Sequence, residues 1–159
     1  MRILNSLLVL VLIALAAHQT LSHFTHSLSG TQWSCSAVKK GFTSSTYNQY
    51  KKYEEFNALN FVTDEQLDFF QKGHLIDQHG SISDFELIYS IHYQSSRDHL
   101  SFHFKQIDWN KKGSEDFVRD KNSVAGLTFE YIYEVHDNSL FLTNITNAED
   151  SNYVCFKTD

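Results

Sequence analysis

The chain has no proline and only 6 glycines among its 159 residues. Turns therefore fall to Gly, Asn, Asp and Ser. The few glycines are scattered, which leaves no Gly-rich phosphate loop, and there is neither a Gly-x-Ser-x-Gly elbow nor a His-Glu-x-x-His helix. Without those motifs the sequence carries no hydrolase or phosphate-loop signature, calls for no cofactor, and reads as non-enzymatic. The carboxylate pairs Asp64-Glu65 and Glu115-Asp116 fall in turns and read as surface charge. Positive charge is scarce too: 13 Lys and Arg stand against 19 Asp and Glu, a net charge of −6 with His neutral. Basic residues cluster no further than solvated pairs such as Lys39-Lys40 and Lys111-Lys112. That balance offers no footprint for nucleic acid or an anionic lipid surface.

Long apolar runs are limited to one. Residues 3–17 are apolar apart from Asn5 and Ser6, and Arg2 precedes them. The run matches a signal-peptide core and falls short of the roughly 20 residues of a membrane span. Ala14-Leu15-Ala16 and Thr20-Leu21-Ser22 offer small-x-small cleavage sites. The expected organisation is a leader over 1–22, a loose arm over 23–29 and one domain over 30–159, exported to a periplasm or secreted. The alternative is an uncleaved leader that anchors the domain, the sole membrane contact expected. Cysteine is nearly absent as well. Cys35 and Cys155 are the two present, and in an oxidising compartment they are expected to bridge. The bridge would close a loop of about 120 residues, worth about 4–5 kcal/mol in the chain-entropy model. A free nucleophilic thiol is the alternative, but it would want a nearby His and an electropositive setting that neither local sequence supplies.

Aromatics, by contrast, are abundant, with 13 Phe, 8 Tyr and 2 Trp. The stretch 85–107 arranges them most clearly. Phe85, Leu87, Tyr89, Ile91 and Tyr93 alternate with Glu86, Ile88, Ser90, His92 and Gln94, the period-two pattern of a half-buried strand. After a loop at Ser95-Ser96-Arg97-Asp98, Leu100, Phe102 and Phe104 alternate with Ser101, His103 and Lys105. Pairing Gln94 with His99 sets Tyr93 opposite Leu100 and Ile91 opposite Phe102, with every large apolar side chain on one face. The unit recurs: Phe85-Glu86-Leu87-Ile88-Tyr89-Ser90-Ile91-His92 matches Phe129-Glu130-Tyr131-Ile132-Tyr133-Glu134-Val135-His136. In this second hairpin Asp137-Asn138 supplies the turn and pairs Val135 with Leu140 and Tyr133 with Leu142.

The remaining segments fit around these hairpins. Thr31, Trp33, Cys35 and Ala37 share one side of a first strand ending near Gly41. Thr46-Tyr47-Asn48-Gln49 fits a capping box, and Tyr47, Tyr50, Tyr53 and Phe56 follow at helical spacing, which predicts a short helix over 46–57. The alternative is the approach to a strand ending at Val62. Two short strands are expected at 67–70 and 74–76, separated by Lys72-Gly73. Residues 115–123 are charged and weakly patterned, a loop at 147–150 follows the second hairpin, and a last strand covers 153–157. The fold class is thus all-β: an antiparallel up-and-down meander of about eight strands with one short helix. A Cys35–Cys155 bridge needs Cα atoms within about 7 Å, which makes first and last strands neighbours and closes the sheet into a barrel.

Gly30-Thr31-Gln32-Trp33 before the first strand, the meander, and the terminal Tyr153-Val154-Cys155-Phe156-Lys157 resemble the calycin-like group: lipocalins, fatty-acid-binding proteins and small bacterial lipocalin-like exported proteins. In lipocalins a Gly-x-Trp motif sets the Trp across the closed end of the barrel; this chain has one residue more between Gly30 and Trp33. The resemblance implies a barrel with an apolar cavity.

Two functions follow, with a third behind them. The first is a barrel binding a small apolar or amphipathic ligand, lined by Tyr89, Ile91, Phe102, Phe104, Phe129, Tyr131 and Tyr133 with Trp33 at one end. The alternative is a barrel packed solid by those same side chains that binds a protein partner through its surface, at Ile88, Ile132 and the Tyr47 to Tyr53 segment. The third is a metal site: the pairing above puts His92 opposite Ser101 and diagonal to both His99 and His103, against the alternative of a solvated outer face. Asn144-Ile145-Thr146 is a glycosylation sequon where the source has the machinery.

Overall fold

Period-two alternation becomes the two faces of one sheet. The computed structural model describes residues 27–39, 48–146 and 152–158. Strands β1 (Thr31–Lys39), β2 (Tyr50–Phe61), β3 (Gln66–Asp77), β4 (Ile82–Ser96), β5 (His99–Lys111), β6 (Thr128–His136), β7 (Ser139–Asn144) and β8 (Tyr153–Thr158) follow in chain order, with helix α1 (Glu115–Asn122) between β5 and β6. Each strand pairs antiparallel with the next, and β8 returns to β1 to close an eight-stranded barrel. The Cys35–Cys155 disulfide spans that seam with Cα atoms 4.4 Å apart. Closure gives every strand a hydrogen-bonded neighbour on both sides.

The central hairpin keeps its faces but not its register. Phe85, Leu87, Tyr89, Ile91, Tyr93, Leu100, Phe102 and Phe104 are all buried. However, Ser96 pairs with His99, Tyr93 with Phe102 and Ile91 with Phe104. The turn is thus the two residues Arg97-Asp98, with Arg97 at φ 56°, rather than four. Two-residue turns suit the right-handed strand twist, and a slip of two preserves which side chains face inward. The second hairpin pairs as expected, Val135 with Leu140 and Tyr133 with Leu142.

Two other expectations are corrected. Residues 50–57 belong to β2, a strand, so no helix forms there; Thr46 and Tyr47 lie outside the described residues, as do the leader, residues 23–26 of the arm and the 147–150 loop. Inward alternation of Tyr53, Leu59 and Phe61 continues the sheet pattern, and sheet burial overrides a local helical spacing. Likewise β3 runs unbroken through Lys72-Gly73. Gly73 marks a close approach of two backbones: a Cβ there would lie 1.9 Å from the Glu54 carbonyl oxygen.

Helix α1 occupies the charged stretch that lacked a pattern. Ser114 caps it, its Oγ accepting from Phe117 N at 3.4 Å. Glu115 and Asp116 stand in the first turn and Arg119 and Lys121 in the last, complementing the helix dipole. Its one fully buried residue, Phe117, plugs the barrel against Phe85 (ring centroids 4.7 Å), Tyr53 (6.0 Å) and Trp109 (6.2 Å).

The two barrel ends differ. At one end the turns are short, around 62–65, 97–98 and 137–138, and Leu28 is buried across it. Gly30 N donates to Phe61 O at 2.7 Å, and Tyr93 OH to Thr63 O at 2.7 Å. The opposite end carries the connections 78–81 and 112–127, α1 among them. Outward residues such as Glu54, Lys72, His74, Glu86, Lys105 and Glu134 are exposed or half-exposed. An apolar interior with a charged exterior is the reverse of a membrane-spanning barrel. No helix among the described residues is long and apolar enough to cross a membrane.

Candidate functional site

Inside the barrel, the short-turn half and the middle are filled by rings. Phe61 meets Tyr93 at 5.1 Å, Phe102 meets Tyr131 at 4.9 Å, Tyr89 meets Phe104 at 5.0 Å and Phe104 meets Phe129 at 5.3 Å. The residues expected to line the interior all face it: Trp33, Tyr89, Ile91, Phe102, Phe104, Tyr131 and Tyr133 are buried, and Phe129 is half-buried against them. Trp33 lies near the short-turn end, its Nε1 donating to Thr31 Oγ1 at 2.8 Å.

Between this ring-filled half and the Phe117 plug lies a polar layer that the sequence analysis missed. Glu55, Asn57 and Gln71 are inward and buried. Alternation places them: Glu55 and Asn57 occupy the same face of β2 as Leu59 and Phe61, while Gln71 is directly across the ladder from Asn57 and Cys35 stands on its other side. The signal was available in β2, whose inward positions read Tyr53, Glu55, Asn57, Leu59, Phe61. Reading Tyr47 to Phe56 as a helix concealed it.

The layer forms a connected network. Gln71 Nε2 donates to Asn57 Oδ1 at 2.7 Å, Tyr53 OH donates to Glu55 Oε2, and Lys121 reaches in from α1 to donate to Gln71 Oε1 at 3.4 Å. The Lys121 ammonium also lies over the rings of Tyr53, at 5.6 Å, and Phe117, at 5.4 Å. Among the described residues Asn57 Nδ2 has no hydrogen-bond partner, although the side chain has no solvent exposure. A buried donor left unpaired costs about 1–3 kcal/mol. Burial, reinforced by the charges of Asp120 and Glu55, pushes the Tyr89 phenol far above its ordinary pKa, so it remains a neutral group. Tyr50 and Trp109 hold α1 to the wall through Tyr50 OH with Ser114 Oγ and Trp109 Nε1 with Asn122 Oδ1, the latter at 2.9 Å.

The histidines do not converge as expected. His92 pairs directly with His103 rather than Ser101, a consequence of the shorter turn. His99 sits at the turn, its Nδ1 2.7 Å from Asp98 Oδ1, and His103 Nδ1 contacts Thr128 Oγ1 at 3.1 Å. Among the described residues no three His, Cys, Asp or Glu side chains are grouped to hold a metal ion. On the outer wall a groove of about 380 Å³ runs beside Gly73, over Phe56 and Phe85. Its rim charges engage each other, with Asp84 bound by Lys111 and by His74 at 2.6 Å.

Surface expectations also shift. Tyr50 and Tyr53 are core residues, and Ile88 and Ile132 are half-buried. The exposed apolar side chains instead include Phe141, Val154 and Phe156 on β7 and β8. Within the Asn144 sequon, Thr146 Oγ1 accepts from Glu130 N at 2.7 Å and Asn144 Oδ1 accepts from Thr146 N at 2.8 Å. The Asn144 Nδ2, where a glycan would attach, is shielded from solvent in the fold.

No protein-family model matches the chain, and no curated protein matches it in sequence.

Proposed function

We propose that the protein is a non-enzymatic, exported calycin-like barrel that holds a small amphipathic molecule in its interior, entered from the long-loop end. The observation that carries this reading is the buried layer of Glu55, Asn57 and Gln71, with the half-buried Lys121 reaching it, between aromatic walls. Binding sites for small molecules combine apolar walls with a few placed polar groups, and in barrels they lie at the mouth. Tyr89, Phe104, Phe129 and Tyr131 supply ring surface deeper in. The ring contacts limit the cargo to a compact one, because an eight-stranded interior is just wide enough for side chains or one small ligand. The apolar leader and the disulfide support export.

Native mass spectrometry of the secreted protein tests the reading. A copurified adduct of low molecular mass supports it. A bare mass, together with no uptake of a neutral apolar dye by the folded protein, sinks it. A second reading, a packed barrel acting through its surface, draws on the exposed Phe141, Val154 and Phe156, which neighbour one another across the β7–β8 ladder. Retained function of an interior-filled variant alongside loss in a Phe141→Ser/Phe156→Ser variant would favour it.

A further inference from the structure

The polar network has a direction that identifies one atom. Lys121 carries only donors, so the Gln71 oxygen faces it at 3.4 Å. Gln71 Nε2 must then donate, and it does so to Asn57 Oδ1 at 2.7 Å. Asn57 Nδ2 is left as a donor without an acceptor in a side chain of 0 % exposure. We propose that Asn57 Nδ2 is the polar contact of the barrel, donating to the oxygen of a neutral carbonyl-bearing ligand: a ketone or an ester.

This inference rests on the ligand-binding reading above and specifies its chemistry. A carbonyl brings acceptors only. A hydroxyl would bring a donor as well as an acceptor, and Asn57 Nδ2 calls only for the acceptor. A carboxylate fits less well. The described interior holds Glu55 and Lys121, one charge of each sign, and an added anion would enter beside Glu55 stripped of its water.

The test uses three matched fluorescent probes on the full secreted protein: 2-dimethylaminonaphthalene, its 6-propionyl ketone and its 6-carboxylate. The ketone is expected to bind about tenfold more tightly than the bare ring, the worth of one hydrogen bond to a buried donor. It should also bind more tightly than the carboxylate. In Asn57→Leu the ketone should lose that tenfold advantage while the bare ring binds as before. An isotope-edited carbonyl stretch should move to lower frequency in the wild-type complex. Should the variant not fold, the ring-against-ketone comparison and the carbonyl stretch in the wild type decide alone.

Equal binding of ring and ketone overturns the inference and leaves the ligand-binding reading intact; it is the result expected if Asn57 holds a structural water. Tightest binding by the carboxylate overturns the neutral class, and a ketone preference that survives Asn57→Leu overturns the assignment to Asn57. If none of the three probes binds, the reading of the interior as a ligand site falls with it.

Discussion

Removing the disulfide should weaken this barrel at one seam before the rest. Among the described residues the β1–β8 ladder pairs Gln32 with Thr158, Trp33 with Lys157 and Ser34 with Phe156, fewer pairs than any other seam. Cys35 and Cys155 are bridged where that pairing stops, closing a loop with a sequence separation of 120. For such a loop the chain-entropy model gives about 5 kcal/mol, against a total domain stability of about 5–15 kcal/mol. The Cys35→Ala/Cys155→Ala variant is therefore expected to unfold at a urea midpoint lower by roughly 2–3 M, taking a slope of about 2 kcal/mol per M. Two tryptophans allow the order of events to be read. Trp33 lies in the seam, paired with Lys157, while Trp109 packs under α1. Equilibrium unfolding followed in Trp109→Phe and Trp33→Phe backgrounds should show the Trp33 signal changing at lower urea in the cysteine-free protein. A loss below about 1 kcal/mol would refute the claim that the bridge, rather than the ladder and core, holds the barrel shut.

Three further perturbations follow from the same geometry. Gly73→Ala places a methyl 1.9 Å from the Glu54 carbonyl oxygen, a backbone atom, so the strands must part. A loss of about 3 kcal/mol is expected, with faster hydrogen exchange of the β2–β3 amides, and an unchanged urea midpoint would contradict it. Phe117→Ala empties a fully buried position against Phe85 and Tyr53, which should cost about 3–5 kcal/mol and speed exchange of the α1 amides. Lys111, and after it His74, lower the pKa of the Asp84 carboxyl. That contribution is present above the unfolded value near 3.8 and is lost as pH falls through the lower folded value. Asp84→Asn should thus flatten the fall of stability below about pH 4, and a pH profile superimposable on the wild type would count against the contact.

The hairpins were readable because both faces of each strand were marked. Phe85 to Tyr93 offers five apolar residues in strict alternation, and burial follows it residue by residue. The exact register was not readable, since a slip of two residues changes no face and the choice rests on turn geometry at Arg97-Asp98. Past Phe104 the alternation itself breaks. Lys105 and Gln106 both face outward at a bulge, which returns Ile107 and Trp109 to the inside opposite Tyr89 and Leu87. Helix α1 escaped notice because a single residue, Phe117, carries its burial, and one buried residue makes no periodicity. Its cap and its charge order were legible all the same: Ser114, then Glu115-Asp116, with Arg119 and Lys121 at the far end. The polar layer was hidden differently. Tyr50 and Tyr53 both face inward although three residues apart, because the β2–β3 register shifts between Tyr50 and Lys52, so a helical spacing fitted them as well.

The inward face of β2 joins these threads. From the long-loop end toward the short-turn end it reads Tyr53, Glu55, Asn57, Leu59, Phe61, with polar groups near the mouth and hydrocarbon beyond. Were the polar residues there to fix strand register alone, the Gln71–Asn57 pair would suffice, and the network would close on itself. It does not close, since Asn57 Nδ2 is left over. An apolar side chain at that position would remove the surplus Nδ2 but leave the buried Gln71 Nε2 without its acceptor, so the Gln71 contact accounts for the Asn57 oxygen and not for its Nδ2. The same layer is where α1 sends Lys121 down among the rings of Tyr53 and Phe117, and where the disulfide at Cys35 braces the adjoining strand. A surplus donor, rigid walls and a cover joined to it by side-chain hydrogen bonds belong together as a preorganised contact for a guest oxygen.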